Sequence, residues 1–533
     1  MVKKNKKSGS VERNMMISAW VLIGVLCFAY ILKTNSVFIF EGGDNAHYIL
    51  LAKSIVAGDG YRDTFTPDVR PHTQYPPMFP LILAGVISLR GMNSYAMKMM
   101  VSVSCGALFI LLFLLFGHKS FTMSIVAVLW IAVSYRFVIY SDRILTETTY
   151  TAFSIAALLF GEKWLDGRKI MDAVFAVLFC WMACMTRTAG ITLAAAASIV
   201  LFLRDGKSIK SALRGATVVI IASVPEIIWS IRGMTQKEES FGYFQQLLSL
   251  DPYNPSLGKI GIGGFFYRFF SNLYKYFIDN AGMFNPQISK YPFTLIVTLS
   301  VFIAMLTLIG YVGALRKKIG ITEIYPVLLC CMIFSWPFYG YRFLLPVYPL
   351  IMIYALEGSL NVFNVVKSKN RGAAIAAGIL FTVFFAAVIG TNLVRTASHI
   401  EKKARFYEKN KIRTGEKFFV ATEWEVCDRL LQASLWVVAH SDPDDVLLAR
   451  KPRLISLSTD RKVAGSPQTD GLDAKKWIAD KNIGYILIDE MYPDSYNFIM
   501  YLAREKPKIP GLVEVFSLKK TYVLKFTEEF FGN

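Results

Sequence analysis

A polar loop, Glu41-Gly42-Gly43-Asp44-Asn45-Ala46-His47-Tyr48, directly follows an apolar run near residues 15–32, and Tyr75-Pro76-Pro77-Met78-Phe79-Pro80-Leu81 lies further along the same inter-span segment. Charged and imidazole side chains wedged between apolar segments are costly structural material, so they mark a functional position on a membrane scaffold. Asp44 and Glu147 are carboxylates of the kind that take a proton from an attacking hydroxyl. Arg143, Arg187 and Arg342 fall in short links between apolar runs, where guanidiniums can grip a phosphate through paired hydrogen bonds. Glu41, His47, Tyr75 and Tyr341 complete the substrate-binding set. The chemistry these types support together is proton abstraction beside a bound anion.

Each residue also has a plainer reading. Asp44 can cap a helix over residues 45–57, a role compatible with that of a base. Glu147 can merely solvate the start of an apolar run, and Arg187 and Arg342 can anchor spans by snorkelling. His47 and His72 read equally as ordinary loop residues, and the Gly58–Tyr61 turn as structural. Tyr75-Pro76-Pro77 restricts the backbone where the chain enters the apolar run that follows.

The elements that must position these groups are membrane helices. Of 533 residues, 54% are hydrophobic and only 18% charged, which excludes a disordered or ordinary soluble chain. The net charge of +19 is carried almost wholly by residues 1–393, in short links beside apolar runs. There it is a topology signal rather than a nucleic-acid footprint. Six of the seven cysteines (Cys27, Cys105, Cys180, Cys184, Cys330, Cys331) lie in apolar runs and one, Cys427, in the tail. None has metal-ligand spacing, and no metal or cofactor is expected.

Apolar runs fall near 15–32, 95–117, 120–140, 148–162, 170–186, 188–204, 214–231, 292–315, 321–338, 343–360 and 372–394, giving about eleven expected spans. Basic residues at Lys119, Lys163, Arg168, Lys169, Arg204, Lys207, Lys210, Arg214, Arg316, Lys317, Lys318, Lys367, Lys369 and Arg371 recur on alternate links. With the cluster Lys3–Lys7 they predict a cytoplasmic N-terminus on an uncleaved first span, and an exoplasmic C-terminal region. Residues 78–90 are too short to cross and are expected to form a surface helix, because counting them as a span would invert every later link. Loop 33–94, Ser141–Glu147, the turn at Arg187, the aromatic loop 233–290 and the link at Tyr339–Arg342 then share one face.

From about 395 the pattern changes. Helical runs at 397–417, 427–440, 473–481 and 494–505 alternate with strand-like 445–449, 485–489, 512–517 and 521–526, as in a small α/β unit. The expected fold is mainly α: a polytopic helix bundle over 1–394 with a soluble α/β domain over 395–533.

Asp44-x-x-x-Tyr48, Ala52, Gly58-Asp59-Gly60-Tyr61 and Tyr75-Pro76-Pro77-x-x-Pro80-Leu81 together resemble the first exoplasmic loop of glycosyltransferase family 39-like enzymes. These are membrane transferases of the GT-C type, related to protein O-mannosyltransferases and the lipid A aminoarabinose transferase. Further matches are Ser141–Glu147, Thr186-Arg187-Thr188-Ala189-Gly190 and Tyr341-Arg342-Phe343-Leu344-Leu345-Pro346-Val347-Tyr348-Pro349. The resemblance implies a sugar donor on a polyprenyl phosphate, inversion at the anomeric carbon, and an Asp base at position 44. Many relatives carry an acidic pair there, whereas this chain has Asp44-Asn45. The acceptor would be a lipid, glycan or protein hydroxyl, and the setting a bacterial inner membrane. A lipid-linked-sugar transporter is the competing reading. It would call for polar residues at mid-membrane and repeated halves, and no repeat is visible.

Overall fold

The apolar runs become helices. In chain order the first part holds α1 (Lys6–Leu32), β1 (Phe38–Ile39), α2 (Gly43–Val56), β2 (Arg62–Asp63), β3 (Arg70–Pro71), α3 (Met78–Arg90), α4 (Ser94–Phe116), α5 (Phe121–Val133), α6 (Tyr135–Tyr140) and α7 (Thr146–Gly167). Then come α8 (Ile170–Thr186), α9 (Ile191–Arg204), α10 (Ile209–Thr235), α11 (Tyr243–Leu248), α12 (Ile262–Phe284), α13 (Phe293–Lys317), α14 (Ile321–Ser335), α15 (Tyr348–Lys369) and α16 (Arg371–Asn410). The tail adds β4 (Phe419–Val420), α17 (Glu425–His440), β5 (Val446–Leu448), α18 (Pro452–Thr459), β6 (Val463–Ala464), α19 (Ala474–Asp480), β7 (Ile483–Ile488), β8 (Leu512–Leu518), β9 (Thr521–Phe526) and α20 (Glu528–Phe531). This computed structural model describes residues 6–33, 38–39, 43–117, 120–236, 243–252, 257–284, 292–410, 419–420, 425–465, 467, 474–489 and 509–532.

Among the described residues, six helices are long and apolar enough to cross a membrane: α1 from Arg13, α4, α10, α13, α15 and α16 as far as Arg405. Shorter apolar helices include α5, α8, α14 and the 78–90 helix α3. The run at 120–140 is two helices, because Ser134 is extended and breaks α5 from α6. Apolar side chains such as Val21, Phe28, Leu308 and Ile379 stand exposed on α1, α13 and α16, as a lipid-facing surface requires.

Close helix packing holds the bundle. At the α13–α15 crossing Gly310 lies against Tyr354 and Gly358 against Leu306, so closely that a β-carbon at either glycine would strike the opposite backbone. Small residues at such crossings let backbones approach where apolar burial cannot drive association. The link residues sort to two ends. At one end Asp205 takes Arg168 at 2.8 Å and Arg214 at 3.1 Å, while Asp166 takes Arg204 at 3.4 Å and also Lys318. Glu147, Arg187 and Arg342 gather elsewhere, around the first loop.

Among its described residues the tail holds a five-stranded sheet in the order β6-β5-β7-β9-β8, parallel across β6, β5 and β7 and antiparallel from β7 to β8. The expected strands and the helices at 427–440 and 473–481 lie where the pattern put them, whereas the helix expected at 494–505 is outside the described residues. The helix expected to begin at 397 is instead the continuation of α16, which runs unbroken through position 394. The sheet unit is docked on the first loop. Leu454 and Leu457 of α18 are buried with Ala46, Ile49 and Leu50 of α2. Val463 N–H donates to Phe65 O at 2.8 Å, Lys53 pairs with Asp460, and β1 pairs in parallel with β4.

Candidate active site

Asp44 is the second residue of α2, inside its first turn. One oxygen, Oδ2, accepts from Arg342 Nη1 at 2.7 Å, and the other, Oδ1, accepts from the Tyr75 hydroxyl at 2.9 Å. Arg342 comes from the link before α15, in a single turn of tight helix over Tyr341–Leu344. Its Nε lies 3.8 Å from Glu147 Oε1, which also accepts from Arg187 Nη1 at 2.9 Å. Glu147 is only 2% exposed, and its Oε2 has no hydrogen-bond partner among the described residues.

Local sequence explains these positions. Leu145 N–H is held by Arg143 O, and α7 begins immediately afterwards, so Glu147 falls in its first turn, where the helix dipole favours an anion. Arg187 sits extended between α8 and a short turn of Thr188–Gly190. Gly190 packs so tightly on the Ala183–Cys184 backbone that a β-carbon would clash, which fixes the turn presenting the guanidinium. Pro77 precedes α3, so Tyr75-Pro76-Pro77 does set the chain's entry into that helix.

Electrostatics sharpen the arrangement. Burial pushes the Asp44 carboxyl up, but the Arg342 charge and hydrogen bond, the Tyr75 hydroxyl and Arg453 outweigh it and hold the group below the usual carboxylate range. Asp44 is therefore ionised at neutral pH. Burial opposes the charge of Arg342, yet Glu147 and Asp44 raise its pKa above the ordinary guanidinium value. Three guanidiniums (Arg187, Arg342 and Arg453) surround two carboxylates, leaving the site with one net positive charge.

Two members were not read from the sequence. Arg453 of α18 donates to the Tyr75 hydroxyl at 3.3 Å and lies 4.0 Å from Asp44 Oδ1. The signal was a proline at the first helical position, Pro452, inside a segment left unassigned. Asp63 is the other. Its carboxylate meets His47 Nε2 at 2.5 Å and His72 Nδ1 at 3.1 Å, and Tyr75 N–H donates to His72 Nε2 at 2.7 Å.

His47, Asp63 and His72 lie close enough to hold a metal ion. The hydrogen bonds argue for a chain filled with protons instead. A neutral imidazole has one N–H and one lone pair. His72 Nε2 spends its lone pair on the Tyr75 backbone, so Nδ1 carries the proton it gives to Asp63 and has none left for a metal. Burial drives the His47 pKa down to about 3 and lowers that of His72, so both rings are neutral. Asp63, despite burial, is held well below the carboxylate range by the two ring donors. Asp63 thus holds both rings, His72 accepts from the Tyr75 backbone, and the hydroxyl of the same Tyr75 donates to Asp44.

Of the other expected residues, Glu41 lies outside the described residues. Arg143 is not brought to Asp44. Its guanidinium lies 5.6 Å from the Tyr140 ring centroid. Tyr341, next to Arg342 in the chain, has Arg136 over its ring, 4.0 Å from ring centroid to guanidinium carbon.

Residues 74–229 match the family model of dolichyl-phosphate-mannose-protein mannosyltransferases. In fold the chain is similar to ArnT from Cupriavidus metallidurans bound to undecaprenyl phosphate, at 13% identity and a TM-score of 0.56, over 96% of this chain and 99% of that one. It is also similar to the archaeal oligosaccharyltransferase AglB from Archaeoglobus fulgidus, solved with an inhibitory peptide and a dolichol-phosphate. That match has 12% identity and a TM-score of 0.56, and covers 95% of this chain and 74% of the other. The arabinofuranosyltransferase AftD from Mycobacteria matches at 12% identity and a TM-score of 0.51, over 95% of this chain and 41% of its own. No curated protein matches in sequence. The chain is thus a membrane protein with the fold of the GT-C glycosyltransferases, similar in sequence to the mannosyltransferase family across residues 74–229.

Proposed function

We propose that the protein is an inverting glycosyltransferase that moves a hexosyl or pentosyl unit from a polyprenyl-phosphate donor to an acceptor hydroxyl on a lipid, glycan or protein. The observation that carries this reading is Asp44 held between the Tyr75 hydroxyl and Arg342, with Glu147 and Arg187 behind. The neighbours solved with undecaprenyl phosphate and dolichol-phosphate support a lipid-phosphate donor.

In this scheme the acceptor oxygen attacks the anomeric carbon while its proton passes to Asp44. The bond from that carbon to the phosphate oxygen breaks, and its electron pair leaves with the lipid phosphate. The two events are coupled through Arg342. As Asp44 becomes neutral, its ion pair with Arg342 weakens, just when the departing phosphate gains a second negative charge. Arg342 and Arg187 stabilise that charge, so the interaction grows in the transition state rather than in the ground state. Glu147 keeps the two guanidiniums together, and no metal ion is needed to make the phosphate leave.

The proposed setting is a bacterial inner membrane with the N-terminus cytoplasmic, the site and the unit over 395–533 exoplasmic, and the catalytic module over 1–394. The test is to incubate the purified protein with radiolabelled polyprenyl-phosphate sugars and extracted cell envelope. Label transferred to an envelope component is the expected result. Vesicle translocation of the donor without transfer would replace this reading with that of a transporter.

A further inference from the structure

The tail carries a cation into the heart of the site, and its bonding there is incomplete. A guanidinium has five N–H groups. Among the described residues, that of Arg453 donates one hydrogen bond, to the neutral Tyr75 hydroxyl at 3.3 Å, and has Asp44 Oδ1 at 4.0 Å. That oxygen already accepts from Tyr75. Arg342, by contrast, has a direct 2.7 Å bond to Asp44. Withdrawing a guanidinium from water is unfavourable unless charge and hydrogen bonds replace the lost solvation. At Arg453 the replacement is partial, and the side chain stays 30% exposed.

Its position is not accidental to the packing. Leu454 and Leu457, on the same short helix, are sealed against α2. On α2, position 43 is glycine, and a β-carbon there would lie 3.7 Å from Arg453 Nη1, in contact with the guanidinium.

We propose that Arg453 is a second phosphate ligand, facing Arg342 across Asp44, and that the site is complete only when the C-terminal unit is docked on α2. The inference rests on the reading of Asp44 as the base of a lipid-phosphate-dependent transferase. The anion it takes is the donor phosphate, whose oxygens supply the acceptors that Arg453 lacks. Bidentate recognition of that kind is what a planar guanidinium offers and an ammonium does not. The arrangement also couples domain docking to chemistry, since undocking the tail removes one of three cations.

The experiment measures binding of undecaprenyl phosphate, with uncharged undecaprenol as the control, to full-length protein in nanodiscs. Arg453→Gln should weaken phosphate-lipid binding about tenfold, roughly 1.4 kcal/mol, and leave undecaprenol unchanged. Arg453→Lys should recover part of the loss. Leu457→Asp, which keeps Arg453 but unseats α18, should produce a similar loss. In a Tyr75→Phe background Arg453→Gln should still weaken binding, because a residue acting only through the Tyr75 hydroxyl would have no further effect there. Native binding in both Arg453→Gln and Leu457→Asp, with weakened binding in Arg342→Gln, would overturn this inference alone. Native binding in all three would overturn the proposed function with it.

Discussion

Arg342 Nη1 stands 2.7 Å from Asp44 Oδ2 although the two residues are 298 positions apart in the chain. The ion pair spans the bundle from the first loop to the link before α15, so the whole run of helices between must fold before the base is poised. It also makes the proton acceptor and the phosphate ligand a single electrical unit.

Replacing Asp44 with Asn should therefore remove transfer almost entirely, by about 10² to 10⁴-fold in kcat, while the protein inserts and melts normally. Undecaprenyl phosphate should still bind, and more tightly if anything, because Arg342 has lost its internal counter-charge. Scintillation counting of transferred sugar, alongside lipid binding, separates the two effects. Transfer at the native rate would remove Asp44 from the mechanism.

Asp44 is held below the ordinary carboxylate range chiefly against burial by Arg342, so the acid limb of its rate profile should lie below that range. The sign follows from the base being active when ionised: activity persists as pH falls until the folded pKa is reached. Arg342→Gln removes the dominant stabilising charge and should move that limb to higher pH as well as lowering kcat. A limb that stays where it was would mean that another group titrates.

Glu147 accepts from Arg187 and lies within 3.8 Å of Arg342, in a nearly closed environment. Glu147→Gln keeps the shape and removes the charge that lets two guanidiniums share the site. The expected cost is about 3 kcal/mol or more, as for breaking a buried pair. It should be visible as a lower melting temperature in detergent together with reduced turnover. A variant with native stability would mean that the two arginines do not need Glu147 between them.

Much of this was legible in the sequence because apolar runs and polar interruptions in a membrane protein are physically forced. Asp44, Glu147, Arg187 and Arg342 were legible because charged side chains stand out between apolar runs, and the positive-inside alternation set their links on one side. Arg453 and Asp63 were not. Both lie in ordinary polar segments where a charge attracts no notice, and only tertiary docking gives them partners. His72 read as a loop residue for the same reason, and His47, expected in the substrate-binding set, gave no sign of its pairing with Asp63. Arg143, in contrast, had the right type and the right link, but falls beside Tyr140. A link places a residue within a few ångströms of the surface, not on a chosen side of a helix.

The Asp63–His72–Tyr75 chain makes a prediction that depends on protonation alone. Both rings are neutral when folded, with His47 held at about 3 by burial, whereas an unfolded histidine takes a proton near pH 6.5. Between those values the unfolded state binds more protons, so stability is fully present above about pH 6.5 and is lost as pH falls toward 3. Asp63, with its depressed pKa, adds a further loss below the ordinary carboxylate range. The melting temperature should thus decline steadily from pH 7 to pH 4.5, and His47→Asn, whose amide can still donate to Asp63, should flatten that decline. Treatment with a chelator at pH 7.5 should leave the native melting temperature where it was, because the His72 nitrogen facing Asp63 carries a proton. A large drop on chelation would show instead that an ion holds the three side chains together, and the tautomer argued from the Tyr75 backbone bond would be wrong.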